Sequence, residues 1–438
     1  MSAVENIILT DEFKDALALL EADFVIRPVI FITGRAGTGK TTLLRYFTEH
    51  SAQDAVVLAP TGIAALNVRG QTIHSFFRLQ PTNLLDLDAL RPLPRRVVDH
   101  FETIIIDEAS MLRADLFDAM DHILRISTHS DLPFGGKKII LFGDLFQLPP
   151  VEENRDSGLQ EFFNERYASP YFFEAHVLRE IPLETFELKR IFRQQQDVPF
   201  VRLLNDIRNG HITQPELDER LNTRITATPP EQIENSIILA PTNENVAWRN
   251  RRYLAGLPDK EFVYPAKVHQ MFTRTLPAEE ELHLKKGAKI MMLVNDTKNK
   301  FWVNGDIGTV YDLGDDFVQV ALNGNVYKIE PYIWEQIRYE FNPLTQKLEK
   351  KVIGTFMQYP LKLAWAITIH KSQGLTFDNI FLDIGRGAFA TGQTYVALSR
   401  CRSLQGVHLK HEIKVSDVRC DRRVQAFIRS IRGFERTN

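Results

Sequence analysis

Eight residues, Gly34-Arg35-Ala36-Gly37-Thr38-Gly39-Lys40-Thr41, limit what this chain can fold into more than any other stretch. They follow an apolar run at 29–33 and lead, through Thr42, into a segment that suits a helix. Glycines at the first and sixth positions let backbone N–H groups curl round a phosphate, and a helix start adds partial positive charge. The turn needs a buried strand before it and a helix after it. It therefore predicts an α/β fold with a parallel sheet, not an all-helical or all-β chain. Lys40 is expected to reach the outer phosphates and the Thr41 hydroxyl to hold Mg2+. The expected nucleotide contacts are Gly34, Ala36, Gly37, Thr38, Gly39, Lys40, Thr41 and Thr42.

The pattern of apolar run followed by polar turn repeats. Residues 55–59 precede Pro60-Thr61-Gly62, residues 103–106 precede Asp107-Glu108, and residues 138–142 precede Gly143-Asp144. Ligands of parallel sheets gather at the C-terminal strand ends. Asp107 is placed there to hold Mg2+ through water, and Glu108 to polarise an attacking water. An N-terminal helix is expected from Phe13, Ala16, Leu17 and Leu20, with Asp11 and Glu12 suiting its start.

The second half echoes the first. Leu239-Ala240-Pro241-Thr242 matches Leu58-Ala59-Pro60-Thr61, and further α/β units read at 379–382 and 407–409, with a helix-like stretch at 390–400 between them. Two similar lobes are implied, of which only the first carries a phosphate loop, so one nucleotide is expected between them. Residues 265–357 differ. Short strands read at 289–294, 308–311, 317–322 and 326–329, and Asn323-Gly324 signals a type I′ hairpin. The expected division is a first lobe at 1–185, a second lobe at 186–264 and 358–438, and a small antiparallel β-barrel inserted at 265–357.

A length of 438 residues exceeds a single ordinary core, which agrees with that division. The 53 Lys+Arg and 56 Asp+Glu exclude a uniformly basic coat of the histone kind, although not a local basic patch. Charge is uneven: residues 1–26 carry net −5 and residues 386–438 net +7. No run of 18 apolar residues offers a membrane span, and the N-terminus has no signal-peptide core. Two cysteines, Cys401 and Cys420, make no disulfide framework, so a reducing intracellular setting, cytoplasm or nucleoid, is expected. No His/Cys cluster has zinc-ligand spacing.

Six segments occur in order: APTGIAALNVRGQTIHSFF (59–77), IIIDEAS (104–110), FGDLFQLPPV (142–151), LKRIFRQ (188–194), ITIHKSQGLTFD (367–378) and YVALSRC (395–401). They resemble the ordered motifs of superfamily 1 helicases. The match is closest to the Pif family, 5′-to-3′ DNA helicases related to the RecD subunit, and RADLFDAMDHI with PFGG resembles that family's own signature. The resemblance implies two RecA-like lobes and an ATP-dependent DNA helicase and translocase. It would use ATP and Mg2+, move 5′-to-3′ on single-stranded DNA, and open duplexes, forks or guanine quadruplexes. It would act as a monomer or paired on DNA. Gln147 would sense the γ-phosphate and the attacking water. Arg193, with Arg190 as its substitute, and Arg400 would present guanidiniums to the γ-phosphate, where a planar fork binds oxygens bidentately. Gly374 would touch the nucleotide side. Thr61, Gly62, His74, Ser75, Phe76, Asn243, His370 and Lys371 would meet DNA.

Phe76, Trp248, Trp302 and Trp334 have two readings, stacking on bases or packing in the core. A pin that splits the duplex is expected within the insertion near 63–96. One position departs from the family: Phe13 stands where related helicases carry an adenine-reading glutamine. A phenyl ring makes no amide hydrogen bonds, so broader nucleotide use is expected. Three other functions fit parts of the pattern. They are a nucleotide-gated nucleic-acid binding module, an enzyme unwinding RNA or RNA–DNA hybrids, and a small-molecule kinase. DNA-stimulated hydrolysis separates the first from a motor, and a kinase needs neither the second lobe nor its arginines.

Overall fold

Strands buried on both faces must be apolar throughout, and this explains the unbroken apolar runs ahead of each polar turn. The computed structural model describes residues 9–22, 29–79, 87–150, 163–194, 197–270, 272, 276–296, 298–342, 347–385 and 387–434. In chain order the first elements are α1 (Asp11–Glu21), β1 (Val29–Gly34), α2 (Lys40–His50), β2 (Ala55–Ala59), α3 (Gly62–Asn67), β3 (Gln71–Thr72) and α4 (Ile73–Phe77). They continue with α5 (Arg95–Val98), β4 (Thr103–Ile106), α6 (Ala114–Thr128), β5 (Lys138–Gly143) and β6 (Leu183–Leu188). The six strands form one parallel sheet in the order β3-β2-β4-β5-β1-β6. β1, β4 and β5 are buried along their whole length.

α1 forms where the apolar spacing placed it. Thr10 caps it by accepting from Phe13 N, and Phe13, Ala16 and Leu20 are buried. Lys138 ties it to the sheet by donating Nζ to the carbonyls of Leu20 and Ala22, where the helix C-terminus is negative. The acids of α6 are structural. Asp115 holds Arg113 and Leu116 N, and Asp121 holds Arg125 and Phe134 N. Asp118 accepts from Tyr167 Oη and from the backbone N–H groups of His176 and Val177. The segment RADLFDAMDHI therefore anchors loops to a buried helix. Of the insertion expected to hold a pin, residues 80–86 lie outside the described residues.

The chain divides into two compact units, Met1–Phe192 with Ile337–Val352 and Asp421–Asn438, and Arg193–Gln336 with Ile353–Cys420. From the sequence, residues 421–438 fall with the second lobe; in this compact division they fall with the first unit. Within that unit, Phe427 of the C-terminal helix stacks on Phe173 at 4.3 Å, and Tyr171 Oη donates to Asp421.

The second unit begins with α7 (Val198–Asn209) and α8 (Gln214–Arg220), then β7 (Ser236–Ala240) and α9 (Asn243–Ala255). β8 (Phe262–Pro265), β9 (Lys267–Gln270), β10 (Glu281–Leu284), β11 (Lys289–Met292), β12 (Ile307–Gly314), β13 (Phe317–Leu322) and β14 (Asn325–Ile329) follow. Next in chain order come the long strands β15 (Tyr332–Asn342) and β16 (Lys347–Gln358), which run partly in the first unit, then β17 (Leu361–Leu363). β14-β13-β12-β11-β17 form an antiparallel sheet, beside a β10-β8 pair and a β15-β16-β9 sheet. The Asn323-Gly324 turn is the expected one, with φ of +50° and +79° between β13 and β14. β18 (Ala366–Thr368), β19 (Asn379–Leu382), α10 (Gln393–Leu398) and β20 (Val407–Leu409) then complete a parallel sheet in the order β18-β7-β19-β20. The C-terminal helix is α11 (Arg422–Phe434). Among the described residues no helix is long and apolar enough to cross a membrane.

Replacing Asp118 with Ala leaves the N–H groups of His176 and Val177 unpaired. A loss of about 2 kcal/mol of stability is expected, read as an earlier first transition in thermal unfolding.

Candidate functional site

β5 pairs with β1 on one side and β4 on the other. The turns after these three strands therefore emerge side by side, spanning roughly 10 Å at the usual strand spacing. GRAGTGKT follows β1, Asp107-Glu108 follows β4, and Asp144 to Gln147 follow β5. This brings together the residues of the first unit that the sequence marks for nucleotide chemistry.

The phosphate loop depends on glycine at defined points. Gly37 and Gly39 have φ of +81° and +85°, a region other residues avoid. A Cβ on Gly34 would sit 2.7 Å from Thr38 Oγ1, and one on Gly39 would sit 2.9 Å from the Phe13 ring. Lys40 Nζ lies across the loop, donating to Gly34 O at 2.8 Å and Arg35 O at 2.9 Å. Thr38 donates to Arg35 O, while Thr41 and Thr42 are exposed on the first turn of α2. Beneath the loop, Phe192 N donates to Gly37 O, and Glu12 accepts from Lys189 N and Arg190 N. Phe13 is 2% exposed and meets Phe192 edge-on at 6.1 Å. Its ring packs against the loop at Gly39.

Asp107 is 7% exposed and accepts from Glu108 N at 2.9 Å. Burial, and then the neighbouring Glu108 carboxylate, push it up to about 7 against the pull of Lys40 and Arg45. Glu108 has φ of +54°, an uncommon bend that turns its carboxylate off the strand line. Gln147 is buried and packs its amide near Asp144, with Nε2 3.5 Å from Oδ2. A buried acid beside a second acid fits a divalent cation, which would neutralise both, with the exposed Thr41 hydroxyl as a further oxygen ligand.

In the second unit, Arg400 is 1% exposed and donates to Val396 O and Ser399 Oγ, both at 2.9 Å. Its Nη1 lies 3.5 Å from the carbonyls of Ser372 and Leu375. Arg193 donates to Ser399 O, and burial with the like charge of Arg400 pushes it down to about 9. Two guanidiniums packed this closely favour an anion. Arg190 lies over the Phe192 ring at 5.2 Å. Gly374 has φ of +82° with open space where a Cβ would be. His370 is half-buried and held below its usual range by burial, while Lys371 beside it is exposed.

Thr61 and Thr242, the threonines of the two Leu-Ala-Pro-Thr segments, cap α3 and α9 by accepting from Ala64 N and Asn245 N. Each keeps its O–H proton to donate. Thr72 caps α4 in the same way. Asn243 is exposed on the first turn of α9, Gly62 is half-buried, and Ser75 accepts from Gln71 Nε2. His74 is half-buried on α4. Phe76 takes its other reading: at 6% exposure it packs edge-on among Phe77, Phe101 and Tyr339, because the apolar side of α4 faces the core. Trp334 is buried and Trp302 half-buried, whereas Trp248 is 53% exposed.

Sequence reading passed over Arg45, Phe192 and Gln194. Arg45 acts electrostatically on Asp107 from α2, and Gln194 donates to the carbonyls of Ser399 and Cys401. Gln194 closes the LKRIFRQ segment, which offered a signal; Arg45 lies in no motif.

A model of the PIF1-like helicase family matches residues 9–218. The ATP-dependent DNA helicase PIF1 of Homo sapiens is 33% identical over 92% of this chain, which spans 61% of that protein's length. The ATP-dependent DNA helicase Pif1 of Bdellovibrio bacteriovorus is 32% identical over 93% of this chain and 88% of its own. Bacteroides Pif1 in complex with ADP-AlF4 is 36% identical and superposes with a TM-score of 0.87 over 98% of each chain. The same protein bound to single-stranded DNA gives 0.69 at 36% identity, again over 98% of each chain. The chain belongs to the PIF1-like helicase family.

Phe13→Ala removes the ring beneath Gly39. It is expected to cost about 3 kcal/mol of stability and to weaken nucleotide binding, checked by thermal unfolding and a fluorescent-nucleotide titration.

Proposed function

We propose, from membership of this family, that the chain is an ATP-dependent DNA helicase and translocase. It moves 5′-to-3′ on single-stranded DNA and opens duplex, forked or quadruplex structures. The observation that carries the reading is the alignment of Lys40, Asp107-Glu108 and Gln147 on the ends of three adjacent parallel strands, together with the Arg193–Arg400 pair in the second unit. A binding module needs no such set, because a water-polarising carboxylate serves turnover. The domain division proposed with it keeps two RecA-like lobes and a barrel inserted at 265–357.

The roles follow from chemistry. Lys40 exchanges its bonds to Gly34 O and Arg35 O for phosphate oxygens, and the loop N–H groups hold the β-phosphate. Mg2+ would be held by Thr41 and, through water, by Asp107, and would supply charge neutralisation on the phosphate chain when bound. Glu108 accepts the proton of the attacking water, which the Gln147 amide orients. Arg193 and Arg400 stabilise the charge that develops on the γ-phosphoryl group. Single-stranded DNA is gripped by Thr61, Gly62, His74 and Ser75 in the first lobe and by Asn243, His370 and Lys371 in the second. A solved structure 35% identical to this chain is described as two coordinating Pif1 helicases unwinding forked duplex DNA, and pairing on a fork is part of this proposal. The setting proposed is intracellular.

Lys40→Ala is expected to lower DNA-stimulated hydrolysis at least about a hundredfold. Glu108→Gln should retain nucleotide affinity and lose turnover; normal turnover would remove Glu108 from its role. Partial duplexes with a 5′ or a 3′ single-stranded tail test the direction, and opening only from the 3′ tail overturns it. With no amide at position 13, GTP should support hydrolysis within about tenfold of ATP, as expected for the loss of one or two hydrogen bonds. A strong ATP preference would place base recognition elsewhere.

A further inference from the structure

α9 presents one side chain that the mechanism above does not use. Trp248 is 53% exposed, although an indole is ordinarily among the more buried groups. The helix does not need it for docking. Its other side is already held: Asn250 bonds the backbone of Ala366 in both directions, Leu254 joins the barrel core, Tyr253 stacks on Trp365, and Arg249 pairs with Asp383.

The exposed side carries Glu244, Trp248, Arg251, Arg252 and Ala255. The Arg252 guanidinium lies over the Trp248 ring at 5.2 Å, and Arg251 donates to Ala247 O of its own helix. Among the described residues neither arginine makes an ion pair. A planar cation and an indole already stacked, with a second guanidinium beside them, make a surface that an anionic strand with flat bases completes. Trp248 lies five residues beyond Asn243, about 7.5 Å along the helix axis. Both follow the C-terminal end of β7, beside the end of β18 that leads into His370 and Lys371, the edge where a parallel sheet takes its ligands.

We propose that Trp248 and Arg252 form a stacking platform for an unpaired base of single-stranded DNA, with Arg251 meeting the adjoining phosphate. The proposal rests on the helicase reading above and extends its DNA contacts outside the family motifs.

The test uses the full chain and a fluorescein-labelled oligothymidylate followed by anisotropy, with thermal unfolding as a control. Trp248→Ala should fold normally and bind about tenfold more weakly, while Trp248→Phe, which keeps a π-face, should stay close to the unaltered chain. Unchanged affinity in Trp248→Ala overturns the platform and leaves the helicase reading standing. Equal loss in both variants overturns stacking as the cause. Failure of the unaltered chain to bind the oligonucleotide at low salt overturns both readings.

Discussion

Burial of the first sheet on both faces governs the rest of the molecule. With β1, β4 and β5 wholly enclosed, polar side chains have room only where these strands end. Asp107 is the extreme case. It is one residue past an all-isoleucine strand end, still out of water, and next to a second carboxylate. An acid in that position is costly until a cation or a proton arrives. The same enclosure makes the phosphate loop exacting, since Phe13 and Phe192 press on it from below and leave Gly39 no space for a side chain.

Local chemistry was the legible part of the sequence. Residues 55–59, 103–106, 317–322, 379–382 and 407–409 are strands with those bounds, because apolar runs and turn residues act within a few positions. Asn323-Gly324 formed its turn for the same reason. Long-range pairing was less legible. β6 joins the first sheet as an edge strand with mixed exposure, so its composition announces little. The long β15–β16 ribbon was missed because Tyr339 and Lys350 make their contacts far away in sequence. Tyr339 Oη accepts from Val57 N, and Lys350 donates to Arg69 O. At the candidate site, motif residues were legible one by one. What the sequence hid was their packing: whether Phe76 and Trp248, both aromatic in helices, would face the core or the solvent. That choice depends on which side of a helix meets neighbouring elements.

Charge reads differently in three dimensions. The basic C-terminal residues are split between the two compact units, since α11, with Arg422, Arg423 and Arg429 exposed, belongs to the first. The acidic N-terminal helix belongs to that unit too, and its Glu12 is spent on backbone N–H groups rather than on an arginine. The near-neutral sum thus averages an acidic and a basic element of the same unit, and only local fields bear on a phosphate ligand.

The paired threonine caps have a mechanical side. Thr61 and Thr242 each begin a helix with a hydroxyl oxygen that accepts from the first turn and keeps its proton to donate. A strand held by that proton would pull on the atom that closes the first helical turn. Tension would therefore pass into the axis of α3 or α9 rather than into a loose loop, and a grip made this way would stiffen or fray together with the helix behind it.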